Sequence, residues 1–287
     1  SALEARLAQL DGLQILRPCK VGGVHVQREC AHVRLDCDGT EKSLSTRLLV
    51  AADGTRSFAR TALGIGTEEY DYEQTLLVCS LAGDRRADGG AYERFSDQGP
   101  VALLPMGEHY GAICAVDRAQ ADAVMALDDV AYARYFQQRF GWRVGRIERV
   151  GRRSTYPVLR VLAERLVAVR AVLLGNAAQT IHPIGAQGFN LGLRDALTLA
   201  ELMVGDSDPG DEDLLVNYAA ARREDRERTL AFSDGLARAT ANPSTAMQVM
   251  RSLGLLALAN IPGLSTPLIA GAMGFRGRVP QLARGSQ

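Results

Sequence analysis

The sequence predicts an α/β protein: a parallel sheet, incomplete in this chain, with an antiparallel sheet inserted into it and a helical region after it. Three observations predict this. Two unbroken apolar runs, Arg47–Ala52 and Val172–Leu174, suit strands buried on both faces, as in a parallel sheet covered by helices. Each run stops at a small-residue turn, Asp53-Gly54 in one case and Gly175-Asn176 in the other. Between them, Thr75–Leu81, Val101–Pro105 and Gly111–Val116 read as strands of a mostly antiparallel insert, with a helix near Val130–Phe140. The expected division is residues 1–66 and 157–205 for the parallel-sheet domain, 67–156 for the insert, and 206–287 for the C-terminal helices.

The chain begins on Ser1 with a helical stretch, Ala2–Leu10, a start that suggests a fragment. From Leu13 to Leu35 apolar and polar residues alternate up to Asp38-Gly39, a hairpin-turn pair, so antiparallel strands are expected there. Beyond the second apolar run a long helix is expected over Gln187–Val204. Phe189, Leu193, Ala196, Leu197, Ala200, Met203 and Val204 form its expected buried face, and Gln187, Asn190, Arg194, Thr198 and Glu201 its polar stripe. A further helix starts near Pro209, with Asp211, Glu212 and Asp213 placed where carboxylates suit the helix dipole.

At 287 residues, 47% of them apolar, the chain can bury a sizeable core. Its 33 acidic and 33 basic side chains balance, which gives no global field for nucleic acid. The five cysteines (Cys19, Cys30, Cys37, Cys79 and Cys114) show neither CxxC nor Cys/His spacing, so reduced, mostly buried thiols are expected and no metal site. No export leader opens the chain, and the cytoplasm is the expected compartment, with access to the inner-membrane surface.

Two constellations carry chemistry. In Asp53-Gly54-Thr55-Arg56-Ser57, the glycine permits a tight turn and close approach of a ligand, while Asp53, Arg56 and Ser57 can order a loop beside a phosphate or ribose. On its own this is also how a plain strand-to-helix turn reads. The second runs from Gly175-Asn176 through His182-Pro183-Ile184-Gly185-Ala186-Gln187-Gly188-Phe189-Asn190. Gly185, Ala186 and Gly188 leave the first N–H groups of the following helix open to a ligand, and the helix dipole favours negative charge there. A flavin, whose N1 and C2 carbonyl edge gains charge on reduction, meets that demand.

These motifs resemble those of the flavoprotein monooxygenases of the 4-hydroxybenzoate hydroxylase type. Asp53-Gly54 with Ser57 and Arg60 is similar to their Asp-Gly motif, and Gly175-Asn176 through Pro183 to their Gly-Asp motif. The run from His182 to Asp195 resembles the ubiquinone-biosynthesis branch, and Asn176 with Gln179 most resembles 2-polyprenyl-6-methoxyphenol hydroxylases. Three departures stand out: Asn176 replaces an acid, Gly185-Ala186 reverses the branch's usual order, and the GxGxxG turn that seats the FAD pyrophosphate is absent from the sequence.

The resemblance implies FAD as cofactor, NADH or NADPH as electron donor, and transfer of one oxygen of O2 through a flavin C4a-hydroperoxide to a polyprenylated phenol. It implies that FAD is contacted by Asp53, Gly54, Arg56, Ser57, Gly175, Asn176, Pro183, Gly185, Ala186, Gln187, Gly188, Phe189 and Asn190. No catalytic side chain is identified, because the cofactor carries the hard chemistry. His182 reads as an acid–base group or as a loop-shaping neighbour of Pro183, and Gln187 as a flavin contact or a cap. The 24 uncharged residues Ser252–Phe275, broken by Gly254, Pro262 and Pro267, read as two short helices. With Arg251, Arg276 and Arg278 at their ends, they lie on a membrane surface or pack on the protein. The rival reading is a non-catalytic prenyl-lipid-binding or scaffold protein, or another flavin oxidoreductase on the same fold.

Overall fold

The computed structural model describes residues 2–96, 98–205, 208–241, 244–261 and 263–266. After a short helix, α1 (Ala2–Leu7), the chain forms a three-stranded antiparallel sheet from β1 (Lys20–Val26), β2 (Ala31–Cys37) and β3 (Thr40–Thr46). The Asp38-Gly39 pair makes the two-residue turn between β2 and β3, both residues at positive φ (55° and 79°), as the twist of a tight hairpin requires.

One expectation fails here. Cys19 and Cys37 form a disulfide, because β1 and β2 pair Lys20 with Asp36 and so set the two flanking cysteines opposite each other, their Cα atoms 4.2 Å apart. Cys30, Cys79 and Cys114 are free thiols, the last two buried.

The first apolar run forms β4 (Leu49–Ala51), followed by the short helix α2 (Phe58–Ala62). The insert comes next: β5 (Thr67–Gly83), β6 (Tyr92–Arg94), β7 (Val101–Met106), β8 (His109–Asp117), α3 (Arg118–Met125), α4 (Asp129–Phe140), β9 (Ile147–Val150) and β10 (Ser154–Ala163). Then follow β11 (Val167–Ala168), β12 (Ala171–Leu173), β13 (Gln179–Thr180), α5 (Gln187–Met203), α6 (Glu212–Ala241) and α7 (Thr245–Asn260). Asp211 starts α6 by accepting hydrogen bonds from the Asp213 and Leu214 N–H groups.

The large sheet runs β13-β10-β5-β8-β7-β6, with β9 on the far end of β5, and every pairing in it is antiparallel. Alternation gives the sheet two faces. Leu77, Cys79, Leu81, Val101, Leu103, Ala112 and Cys114 pack with Tyr132, Phe136 and Phe140 of α4 in one core cluster. Leu76, Ala102, Leu104 and Ile113 belong to the opposite face. The domain boundary expected at residue 156 falls inside β10, which continues to Ala163 and joins the insert's sheet to the strand β13 near the second motif.

The small sheet, β11-β12-β4, holds the parallel pair: Leu49, Val50 and Ala51 lie beside Ala171, Val172 and Leu173. The second apolar run is buried as expected, but the first is buried on one side only. Val50 is 41% exposed because β4 is the edge strand of this sheet.

The buried face of α5 is also not the one expected. Gln187, Leu191, Arg194, Asp195, Thr198 and Leu199 point inward, whereas Phe189 is 78% exposed and Leu193, Ala196, Ala200 and Val204 are exposed with it. The polar stripe packs on α6, where opposite charges await it. Arg194 and Arg222 both donate to Asp225, and Arg222 donates to Asp195. Paired in this way, charged groups can be buried without the penalty that isolated ones would carry.

Candidate active site

Parallel pairing of β4 with β12 sets the two motif turns side by side at the carboxyl ends of neighbouring strands, the place where open α/β sheets bind ligands. Leu174 N–H donates to Ala51 O at 2.9 Å, carrying the register into the turns. Three further hydrogen bonds tie them. Thr180 donates to Thr55 Oγ1 at 2.9 Å, and the buried Arg60 reaches both turns, donating to Ala177 O at 2.8 Å and to Thr55 O at 2.9 Å.

Within the first turn, Asp53 accepts from the Ser57 hydroxyl and from Ala59 N–H, and Ser57 Oγ accepts from Arg60 N–H to cap α2. Asp53 and Ser57 therefore shape the turn, and Ser57 is buried. Gly54, at φ 87°, has open space where a side chain would stand, and Arg56 is exposed.

The second turn is held from behind. Gly175, at φ 55°, donates its N–H to Asp195 Oδ2 at 3.1 Å, and Gln179 Nε2 donates to the same oxygen at 2.7 Å. Asp195 Oδ1 accepts from Arg222 Nε–H at 2.7 Å. Burial pushes the Asp195 carboxyl up, while Arg222, Gln179 and Gly175 pull it down. Gly192 lets α5 approach this turn, since a Cβ on it would lie 3.1 Å from the Gly175 Cα. Asn176 is exposed at the tip.

The loop into α5 is held by a contact of its own and by two elements, β5 and α6. His182 is only 3% exposed. Its Nδ1 accepts from Ile184 N–H at 3.1 Å, its carbonyl accepts from Ser233 Oγ of α6, and its ring stands edge-on to Tyr72 of β5 at 4.6 Å. The Tyr72 hydroxyl donates in turn to Asp234 of α6. These contacts favour the loop-shaping reading of His182.

Burial holds the His182 imidazole down to about 4, against the pull of Asp234. The folded protein thus refuses a proton that the unfolded chain accepts near pH 6.5. As pH falls from about 6.5 to about 4, stability should drop by at most about 3 kcal/mol, and above that window the residue should contribute no pH dependence. Melting temperatures measured across the window should show this slope, and His182→Asn, which keeps an acceptor but cannot titrate, should flatten it. An unchanged slope would mean that another group carries it.

Gly185 takes φ 75° in the Ile184–Ala186 turn, and Gln187, buried, donates to Gly185 O at 3.0 Å, which is the capping role. Gly188 has room: a Cβ there would meet only Ile181 Cγ1, at 3.9 Å. Phe189 and Asn190 are exposed in the first turn of α5.

Next to this loop lies a cavity of about 240 Å³. Pro183, Ile184 and Gly185 form one wall, and the outer face of the large sheet, with Leu76, Ala102, Leu104 and Ile113, forms the floor. The loop into α5 is shared between the second motif and this apolar cavity, through Pro183, Ile184 and Gly185. Sequence reasoning singled out the residues of both turns and of the start of α5. It assigned no role to Thr55, Thr180, Asp195, Gly192 and Arg222, whose roles depend on contacts far away in the chain.

The family model described as FAD binding domain matches residues 3–233. The chain belongs to the FAD-binding domain family. Within this FAD-binding family it is similar to a ubiquinone hydroxylase, UbiL, of Rhodospirillum rubrum, at 33% identity over 99% of this chain and 67% of that protein. It is similar to the 3-demethoxyubiquinol 3-hydroxylase of Escherichia coli at 26% identity, over 81% of this chain and 60% of that protein. Among solved structures, p-nitrophenol 4-monooxygenase from Pseudomonas putida superposes with a TM-score of 0.80 at 17% identity, covering 96% of this chain and 71% of that one. The chain spans about two thirds or less of the length of these two hydroxylases. FAD is the cofactor of the family.

Proposed function

We propose that this chain is the larger part of an FAD-dependent aromatic hydroxylase that places one atom of O2 on a polyprenylated phenol in ubiquinone biosynthesis, with NADH or NADPH as electron donor. The observation that carries this is the apolar cavity beside the open start of α5, which would hold an aromatic ring against a flavin edge. Similarity to two ubiquinone-pathway hydroxylases supports the substrate class. Bound flavin supplies the activation of dioxygen. The chain's own work is to bind, orient and keep out water. Gly54, Gly175 and Asn176 would line the ribityl chain, held by Arg60 and Asp195, while Gly185, Ala186, Gly188 and the first N–H groups of α5 would face the charge-gaining ring edge. Pro183, Ile184 and the sheet floor would hold the phenol in a dry, apolar site.

Nicotinamide oxidation that depends on a short-tailed phenol, with isotope from labelled dioxygen found in the product ring, tests the proposal. A protein that binds FAD and phenol but yields no oxygenated ring would support the non-catalytic rival instead.

The cavity is smaller than the roughly 300–1,000 Å³ usual for drug-sized ligands, so it takes a ring and leaves a prenyl tail outside. On α7, Val249, Leu253 and Leu256 are exposed along one stripe, and Ile261 and Leu264 are exposed beyond it. Leu268, Ile269, Phe275, Arg276 and Arg278 lie outside the described residues. Among the described residues no helix is long and apolar enough to cross a membrane. An exposed apolar stripe of this kind suits the surface of a bilayer that holds the tail. Replacing Val249, Leu253 and Leu256 with Glu should abolish sedimentation with anionic vesicles and lower turnover of long-tailed phenols, with FAD binding and turnover of a short-tailed phenol retained. Unchanged vesicle binding would remove α7 from the membrane contact.

A further inference from the structure

The cavity floor holds one acidic side chain. Sheet register places it there: β6 pairs Glu93 with Ala102 of β7, and β7 pairs Ala102 with Ile113 of β8. Glu93 thus stands in one row with two apolar residues of the floor, across from Pro183, Ile184 and Gly185. Tyr92 borders the cavity as well, but its ring and hydroxyl are engaged elsewhere. Tyr92 packs on Tyr110 and Phe140 and donates its hydroxyl to Asp88, and Arg94 reaches toward Gly141 at the end of α4. Arg143 stacks over the Tyr92 ring. No hydrogen bond or ion pair to the Glu93 carboxyl is found among the described residues, although Asp53, Asp195 and Asp234 near the loop and turns are all engaged. Partial desolvation alone pushes the Glu93 carboxyl up, although the residue as a whole is exposed. A carboxylate on an edge strand also guards against strand addition. That service needs only a charge at the sheet edge, and it does not call for a carboxyl in the lining of a cavity.

We infer that Glu93 holds the phenolic hydroxyl of the substrate and takes its proton as the ring is oxygenated. The inference rests on the hydroxylase reading above. A carboxylate accepting O–H from a phenol fixes which edge of the ring faces the helix mouth, with the tail directed out of the cavity. When the ring's π electrons form the new C–O bond, the ring becomes electron-poor. Transfer of the phenolic proton to Glu93 lets that O–H bonding pair form a C=O in the ring, which relieves the charge. Loss of the proton on the newly oxygenated carbon, to the second dioxygen atom as it leaves as water, then restores the aromatic ring, and the Glu93 proton returns to the carbonyl oxygen as a hydroxyl. One dioxygen atom ends in the product and the other in water, with the two electrons supplied by the reduced nicotinamide. Positioned proton transfer of this kind is worth about 10²–10⁴ in rate.

Glu93→Gln, close in shape, is the test in the full-length protein, with FAD affinity and melting temperature as controls. Binding is read first, by calorimetry of a short-tailed phenol against its methyl ether. Wild type should prefer the phenol about tenfold or more, from a hydrogen bond to a charged group of about 1.5–3 kcal/mol, and the variant should lose that preference. Turnover of the variant should fall about a hundredfold with little change in KM for nicotinamide. Wild-type activity should decline as pH falls through the titration of Glu93, and Glu93→Gln should lack that acid limb. Glu93→Asp should restore part of both. A wild type that binds phenol and ether equally, or a variant that keeps turnover and the acid limb, overturns the role of Glu93 while leaving the hydroxylase reading intact. A wild type that oxygenates no phenol overturns both.

Discussion

Asp195→Ala should destabilise the protein by about 3–5 kcal/mol, the range for breaking a buried pair by removing one partner. The carboxylate accepts three hydrogen bonds, from Gly175 N–H, Gln179 Nε2 and Arg222 Nε, and Arg222 is only 1% exposed. Removing it leaves a buried guanidinium with Asp225 as its remaining acid partner. Asp195→Asn should also be harmful, since an amide turns one of its atoms into a donor facing donors. Urea titration checks the size of the loss, and Asp195→Leu combined with Arg222→Met should recover part of it, as apolar replacements of buried pairs often do. Because the Gly175 turn hangs on this carboxylate, FAD affinity should fall as well. A loss under about 1 kcal/mol in Asp195→Ala would mean that the turn is held by something else.

The second large effect belongs to Arg60. Its two terminal nitrogens span from Thr55 O to Ala177 O, so one planar fork joins both motif turns. Arg60→Met keeps the apolar stem and removes both donors, leaving two carbonyls without this partner. The expected cost is about 3 kcal/mol, with a tenfold or greater loss in FAD affinity as the turns separate. Arg60→Lys should behave nearly as badly, because a single ammonium does not reproduce a rigid two-pronged donor. Denaturation and flavin titration of the two variants check this. Full function in the lysine variant would show that only charge matters at this position.

Much of this architecture was legible in the sequence because it is local. The Asp38-Gly39 hairpin, the apolar strand Val172–Leu174, the long helix from Gln187 and the acidic start of α6 all follow from period, turn chemistry and capping within a few residues. The errors have one origin. Helical periodicity counted Arg194 and Thr198 as solvent-facing, whereas α6 supplies Arg222 and Asp225 to the Arg194–Asp195 step of α5. Period alone does not reveal a partner helix that neutralises charge. The Cys19–Cys37 bridge and the position of Glu93 are likewise products of strand register, which sets residues far apart in the chain side by side. Arg60 was visible as part of a motif, but Arg56 and Arg60 are indistinguishable by type. Only the fold decides which one turns inward.

The central claim is that a flavin lies against the open start of α5. Gly188 tests it most directly, since the protein itself leaves room there: a Cβ would meet only Ile181 Cγ1, at 3.9 Å. Gly188→Val should therefore keep its melting temperature to within a few degrees while its side chain crowds the flavin edge and masks the helix N–H groups. With about 1.5–3 kcal/mol lost for each charged-group hydrogen bond, fluorescence titration of FAD into the full-length protein should show affinity lower by about tenfold or more. A folded Gly188→Val protein with wild-type FAD affinity would contradict the account and take the helix mouth out of the site.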